Sequence, residues 1–503
     1  MKTRVIALVL AVLVLMLAVV SCGAAGTEQD DPKETQNGPD KQTQSGESVP
    51  AKETEPETTW YEPEKAKDKD YGGADFVILT FPHDTSIYWH DTDFTYYEIS
   101  GDTIGDAVVN RNEYVSEHLG VNLVFESLNQ TNDTATLNNA VAGGLDEYQI
   151  AFLYTQGSFE MATKGNLVEL HTMEDLQLDA PWWDQNSLRD MSILGQNYAM
   201  FGNIGIMYRK TIGVFMFNKE LYEENASLEN PYTLVANKAW TIDKMIEIVT
   251  QTYQDFNGNG DVDEGDIFGM IYQGDGFPIA MMGAGVQFIS KDNDDIPYMN
   301  YNNDHTLDVF DELCDLFYDT TYARSVSAVA PKLETPLADY FNNGQALFRD
   351  GEIHSVIGAR QMTQNFGVLP QPLYDSDQEN YVHCINPHVA ATMVIPNSNK
   401  DLSRTAIVAD ALSAAGKNYL DPAFYDITLQ GRSVRDNESR ESIELVVSTV
   451  RYDIGYLSDW GISWDMMDLA NRRSTDFVSK YGTSEPVVQG KLDDTIAAFE
   501  RME

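Results

Sequence analysis

The chain has 503 residues, with 79 Asp and Glu against 33 Lys and Arg, giving a formal net charge of -46. So acidic a chain lacks the Lys and Arg surface that attraction to a phosphate backbone needs, so nucleic acid is excluded as a general partner. With only Cys22, Cys314 and Cys384, it is neither a disulfide scaffold nor a cysteine-rich metal domain, and a bridge between Cys314 and Cys384 stays open.

At the N-terminus Lys2 and Arg4 precede an unbroken apolar run from Val5 to Val20, ending at Ser21 and Cys22. These 16 residues fall short of the roughly 20 that a spanning helix needs, so the run reads as a cleaved signal peptide over 1–21. Val19-Val20-Ser21-Cys22 resembles the lipobox of bacterial lipoproteins, which implies a lipid on Cys22 and a place on the outer face of the cytoplasmic membrane. Residues 22–70 are then an acylated cysteine and a polar, acidic tether, with too few large apolar residues to offset chain entropy. The folded region starts near Tyr71 and is long enough for two lobes.

Phe76–Leu79 reads as a strand and Ile104–Leu119 as a helix ended by Gly120. Val121–Phe125 follows as a strand, Asn132–Val141 as a helix, and Tyr148–Tyr154 as a third strand after the Gly143-Gly144 break. Strand-helix-strand-helix-strand predicts an α/β sheet with parallel strands.

Further along come GQNYAMFG over Gly195–Gly202, FNKELY over Phe217–Tyr222 and WTID from Trp240 to Asp243. FNNGQALF over Phe341–Phe348, GVLP over Gly367–Pro370, and Ile395-Pro396 before a helix complete the set. In this order, behind a lipobox, they resemble the family 1 extracellular solute-binding proteins of bacterial ABC importers, the group of the maltose-binding proteins. The resemblance implies an α/β, periplasmic-binding-protein-like fold of two lobes, with hinge crossings and a ligand cleft between them. The first lobe would comprise 71–205 with 387–430, and the second 206–386 with 431–503. Ligand contacts from both lobes would favour a closed form that the membrane permease recognises. The implied ligand is small and hydrophilic, a carbohydrate or oligosaccharide, and the expected state is a monomer.

Sugars need flat apolar faces for stacking and planar polar groups for hydroxyls. The family's cleft positions fall on His83 and Asp84 after the first strand, and on Thr155 and Gln156 after the third. They also fall on Arg349, Asp350 and Glu352 after FNNGQALF, and on Trp460 or Trp464 near the C-terminus. Trp182 and Trp183 are further candidates, because two adjacent indoles are hard to bury together. Trp240, before the expected N-cap Thr241, reads as structural.

The sharpest local motif is Asp255 to Asp266, which matches a 12-residue EF-hand calcium loop. Asp255, Asn257, Asn259, Asp263 and Asp266 would supply side-chain oxygens and Asp261 a carbonyl. Gly260 would make the turn and Val262 would pack inward. Ile242, Met245, Ile246, Val249 and Tyr253 predict a helix into the loop, and Ile267–Tyr272 a strand out of it. A helix-loop-strand arrangement is a structural Ca2+ clip rather than a paired sensor; the alternative is an unliganded Asp/Gly turn. No G-x-S-x-G, H-E-x-x-H or P-loop motif occurs, which points away from an enzyme. A secreted glycoside hydrolase and a carbohydrate-binding adhesin remain the alternatives.

Overall fold

The computed structural model of the protein describes residues 59–81, 93–128, 134–359, 362–429, 437–458 and 460–502. The chain divides into two units, Met1–Thr58 and Thr59–Glu503, and the first of these lies outside the described residues. So do the signal segment, Cys22, most of the tether, His83 and Asp84.

Among the described residues, twelve strands form two five-stranded sheets and a hairpin. The first sheet has the order β2-β1-β3-β12-β4, built from β1 (Ala74–Thr80), β2 (Val121–Ser127), β3 (Ile150–Tyr154), β4 (Ala199–Met200) and β12 (Ala391–Val394). β1 runs parallel to both β2 and β3, as the alternating pattern predicts, with Ala74 opposite Val121 and Ile78 opposite Ile150. β12 runs antiparallel to β3 and β4, so the sheet is mixed rather than purely parallel. β3 is buried along its whole length, which a strand covered on both faces requires. One covering layer is the pair of helices Thr103–Leu119 and Leu402–Leu429, packed on each other. Asp102 starts the first of them by accepting the N–H of Gly105 at 2.7 Å.

The second sheet has the order β11-β5-β10-β6-β9, with β5 (Gly213–Asn218), β6 (Phe268–Tyr272), β9 (Ala323–Ser325), β10 (Ala346–Glu352) and β11 (Phe366–Leu369). β6 is parallel to β9 and β10, whereas β5 is antiparallel to β10 and β11. Trp240 is buried beside Phe348 with its indole N–H on the carbonyl of Pro370 at 2.9 Å, and Thr241 caps the next helix. The hairpin β7 (Ile289–Lys291) and β8 (Pro297–Met299) stands apart from both sheets.

The chain leaves the first sheet after β4, and re-enters it at β12 after β11 of the second. These two crossings lie side by side. Ile212 bridges Ile385, the N–H of Asn386 donates to the carbonyl of Thr211 at 2.9 Å, and that of Gly213 donates to Cys384 at 3.1 Å. Two lobes joined by adjacent strands are the arrangement in which a few backbone torsions can swing one sheet toward the other. The last helix, Phe477–Glu500, packs against β8 and the helix Ile462–Arg472, and also reaches the helix Thr155–Thr163 of the first lobe. There Phe499 meets the ring of Tyr198 edge-on at 5.2 Å. Cys314 and Cys384 are both buried free thiols. Among the described residues no helix is long and apolar enough to cross a membrane.

Candidate functional site

In open α/β sheets, ligands collect beyond the carboxyl ends of the strands. Here those ends are Tyr154 of β3 in the first lobe, and Tyr272 of β6 and Glu352 of β10 in the second. The returning crossing, Asn386 to His388, lies between them. The Asn386 amide donates to Glu352 Oε1 at 2.8 Å and to Asp275 Oδ2 at 3.2 Å. Two residues on, His388 Nδ1 lies 3.3 Å from the Gln156 amide, and its ring lies 4.5 Å from that of Trp464. One short segment thus ties together polar groups from both lobes.

Trp464 sits on the helix Ile462–Arg472 and is 53% exposed. An indole left this open beside a histidine ring has the character of a stacking platform. Seven residues on, the same helix face carries Asn471, whose Oδ1 is buried with no hydrogen-bond partner among the described residues. It stands against Gly274. The segment Gly274-Asp275-Gly276 lets these groups crowd together, since a Cβ on Gly276 would fall 1.9 Å from Asp350 Oδ2. Asp350 also accepts the backbone N–H of Gln273 at 3.2 Å, and the Gln273 amide donates to Asp275 at 3.2 Å.

Three carboxyls so placed resist ionising. Burial pushes Glu352 up to about 8, with the charge of Asp275 adding to it. Burial likewise raises Asp275, and it raises Asp350 well above the usual carboxylate range, with Asp275 again contributing. A carboxyl that keeps its proton near neutral pH both donates and accepts, which suits a ligand hydroxyl.

Of the residues singled out in the sequence, Gln156, Asp350, Glu352 and Trp464 belong to this constellation. Others do not. Thr155 is fully buried, and its hydroxyl already serves the carbonyls of Leu457 at 2.9 Å and Pro387 at 3.2 Å. It fixes the loop but does not face a ligand. Arg349 alternates with Asp350 along β10 and bonds Ser355 at 3.3 Å, so it acts on Asp350 and Glu352 by its charge rather than through a hydrogen bond. Trp460 is buried and lines a different cavity of about 660 Å3 between the helices Thr155–Thr163 and Phe477–Glu500, with Glu160, Lys491 and Arg501. Gln156 borders that cavity too, but Asn386, His388 and Trp464 do not.

Trp182 and Trp183 need the clearest correction. They are only 6% and 3% exposed, and both indole N–H groups donate to Asp410 Oδ1, at 2.9 and 2.8 Å. Asp410 Oδ2 also accepts the N–H of Gln177 at 2.9 Å. A buried carboxylate on the helix Leu402–Leu429 thus satisfies both rings, which are core rather than platform.

Sequence reasoning missed Asn386, His388, Asp275 and Asn471. The only local signal was Asn386-Pro387-His388 at the expected re-entry to the first lobe, with an acid flanked by glycines at Gly274 and Gly276.

No protein-family profile matches the sequence, and no curated protein matches it. Solved structures do. An ABC substrate-binding protein of Listeria monocytogenes, in complex with cycloalternan, matches with a TM-score of 0.54 at 14% identity, covering 84% of this chain and 99% of that one. The GacH receptor of Streptomyces glaucescens, solved unliganded and with acarbose, matches at 0.52 and 13%, covering 84% and 98%. UgpB from Mycobacterium tuberculosis, in complex with glycerophosphocholine, matches at 0.52 and 15%, covering 84% and 99%. At such identities the likeness establishes the fold: this chain has the two-lobe α/β architecture of these binding proteins.

Proposed function

We propose that this protein is a lipid-anchored extracellular receptor. It captures a small hydrophilic ligand, a carbohydrate or oligosaccharide, between its lobes and delivers it as a monomer to the permease of an ABC importer. The observation that carries this reading is the exposed ring of Trp464 set against His388, which also meets Gln156 and lies two residues after Asn386, the partner of Asp275 and Glu352. It offers an apolar face and a set of planar polar groups at the meeting of the lobes, the two things sugar recognition requires. Two of the three structural neighbours named above were solved with oligosaccharides or their analogues. The Val19-Val20-Ser21-Cys22 motif and the tether behind it support the lipid anchor, and Cys22→Ala is expected to release the protein from membranes.

The test is a thermal-shift and tryptophan-emission screen with cycloalternan, acarbose, maltotetraose and glycerophosphocholine. A shift with one of the saccharides, weakened about tenfold or more in Trp464→Ala, supports the reading, since one stacking ring contributes about 1–2 kcal/mol. Glycerophosphocholine binding alone would overturn the carbohydrate class: the ring of Trp464 would then face a quaternary ammonium.

A further inference from the structure

The segment between the helix Ile242–Thr252 and β6 takes no part in the ligand site. Its backbone is held by its own side chains. Asp255 accepts the N–H groups of Gly258 and Gly260 at 2.8 and 2.9 Å, and Asn259 accepts that of Asp261 at 2.7 Å. Gly260 sits at φ 81°, where a side chain would be strained. The amides of Asn257 and Asn259 converge on the carboxylate of Asp263 at 2.8 and 2.6 Å. Val262, expected to point inward, is instead 40% exposed; its carbonyl accepts Arg324 Nη2 at 2.9 Å.

Such turns occur without any ligand, and the decisive observation lies at the end of the loop. Asp266 is 0% exposed. Its Oδ2 accepts the N–H of Asp263 at 2.9 Å and the hydroxyl of Tyr253 at 3.0 Å, so the carboxylate is turned into the loop. Its Oδ1 is buried and has no hydrogen-bond partner among the described residues. An acceptor left so is costly, and natural proteins leave few of them.

We propose that the Asp255-to-Asp266 loop is a Ca2+ site in which Asp266 Oδ1 is one of the ligands. Asp255, Asn257, Asn259 and the carbonyl of Asp261 supply the others, with Asp263 directly or through water. Among the described residues no group of three or more His, Cys, Asp or Glu is gathered as a metal cluster. This set draws on two amides and a carbonyl instead. Turning each Asn amide about its last bond exchanges N for O and presents acceptors where donors now face Asp263. Six oxygens of mixed type suit Ca2+, which tolerates irregular geometry, better than Mg2+, which demands a near-ideal octahedron. The ion would clip the helix to β6. The loop is already braced on the rest of the lobe by Tyr340, which donates to the Asp266 carbonyl at 2.6 Å, and by Glu264, which accepts from Thr335 at 2.7 Å.

The test uses the whole protein after chelation and desalting. Tb3+ emission sensitised by Tyr253 should appear and be displaced by Ca2+, with an affinity on the order of 10⁻⁴ M or tighter. Ca2+ should also raise the melting midpoint. Asp255→Asn, at an exposed position, should weaken Ca2+ at least tenfold while the protein still folds, and Asp266→Asn should do the same. Absence of sensitised emission and of any Ca2+-dependent melting shift would overturn the site and leave Arg324 as the cation that balances Asp266. Displacement by Mg2+ but not by Ca2+ would overturn the assignment of the ion.

Discussion

Trp182 and Trp183 in the first lobe and Trp464 near the junction are the same residue type in opposite circumstances. The adjacent pair looks the more unusual in sequence, yet it is buried and fully satisfied, because Asp410 arrives from more than two hundred residues away to take both indole N–H groups. The lone Trp464 keeps half its surface open beside His388. A tryptophan's role is set by what the fold brings to its ring and its N–H, and local sequence carries neither.

The comparison breaks most readily at the buried pair. Trp183→Ala should cost about 3–5 kcal/mol of stability, the usual loss for a large core aromatic. Asp410→Ala should cost about 3 kcal/mol, because it strands two buried indole donors and the half-buried N–H of Gln177. Denaturant midpoints at unchanged slope would register both, and a loss under about 1 kcal/mol in either would show that the pair is not core. At the other end of the contrast, Trp464→Ala should leave those midpoints nearly unmoved while reducing ligand affinity by about 1–2 kcal/mol.

A smaller effect concerns the carboxyls held by Asn386. Glu352 keeps its proton up to about pH 8 in the fold, against an ordinary value of 4.5 when exposed. Its contribution to stability is therefore complete below about pH 4.5 and is lost as pH rises through 8. Glu352→Gln still accepts from Asn386 and cannot ionise, so it should flatten the fall in melting temperature over that window. At pH 9 the variant should be more stable than the parent by about 1 kcal/mol or more. An unchanged slope would mean that Glu352 is charged and paired.

Periodicity and punctuation made the first lobe's strands, the helix Thr103–Leu119 and the helix-loop-strand around Asp255 legible in sequence, because each is fixed by neighbours a few residues away. Trp240 and the Thr241 cap were legible for the same reason. The antiparallel return of β12 did not follow from the alternating pattern, since its partner β3 lies more than two hundred residues earlier. The site was legible only in part. The family resemblance pointed to Gln156, Asp350 and Glu352, but the direction of Arg349 and the burial of Thr155 depend on alternation and on the crossing at Pro387. Asn386 and His388 join the site only because that crossing runs between the sheets.

The central claim is capture of a ligand between two hinged lobes, and small-angle scattering with and without the saccharide that gives the thermal shift tests it most directly. The account predicts a smaller radius of gyration at saturation, lost in Trp464→Ala at ligand concentrations that no longer saturate. A radius unchanged by a saturating saccharide would contradict it.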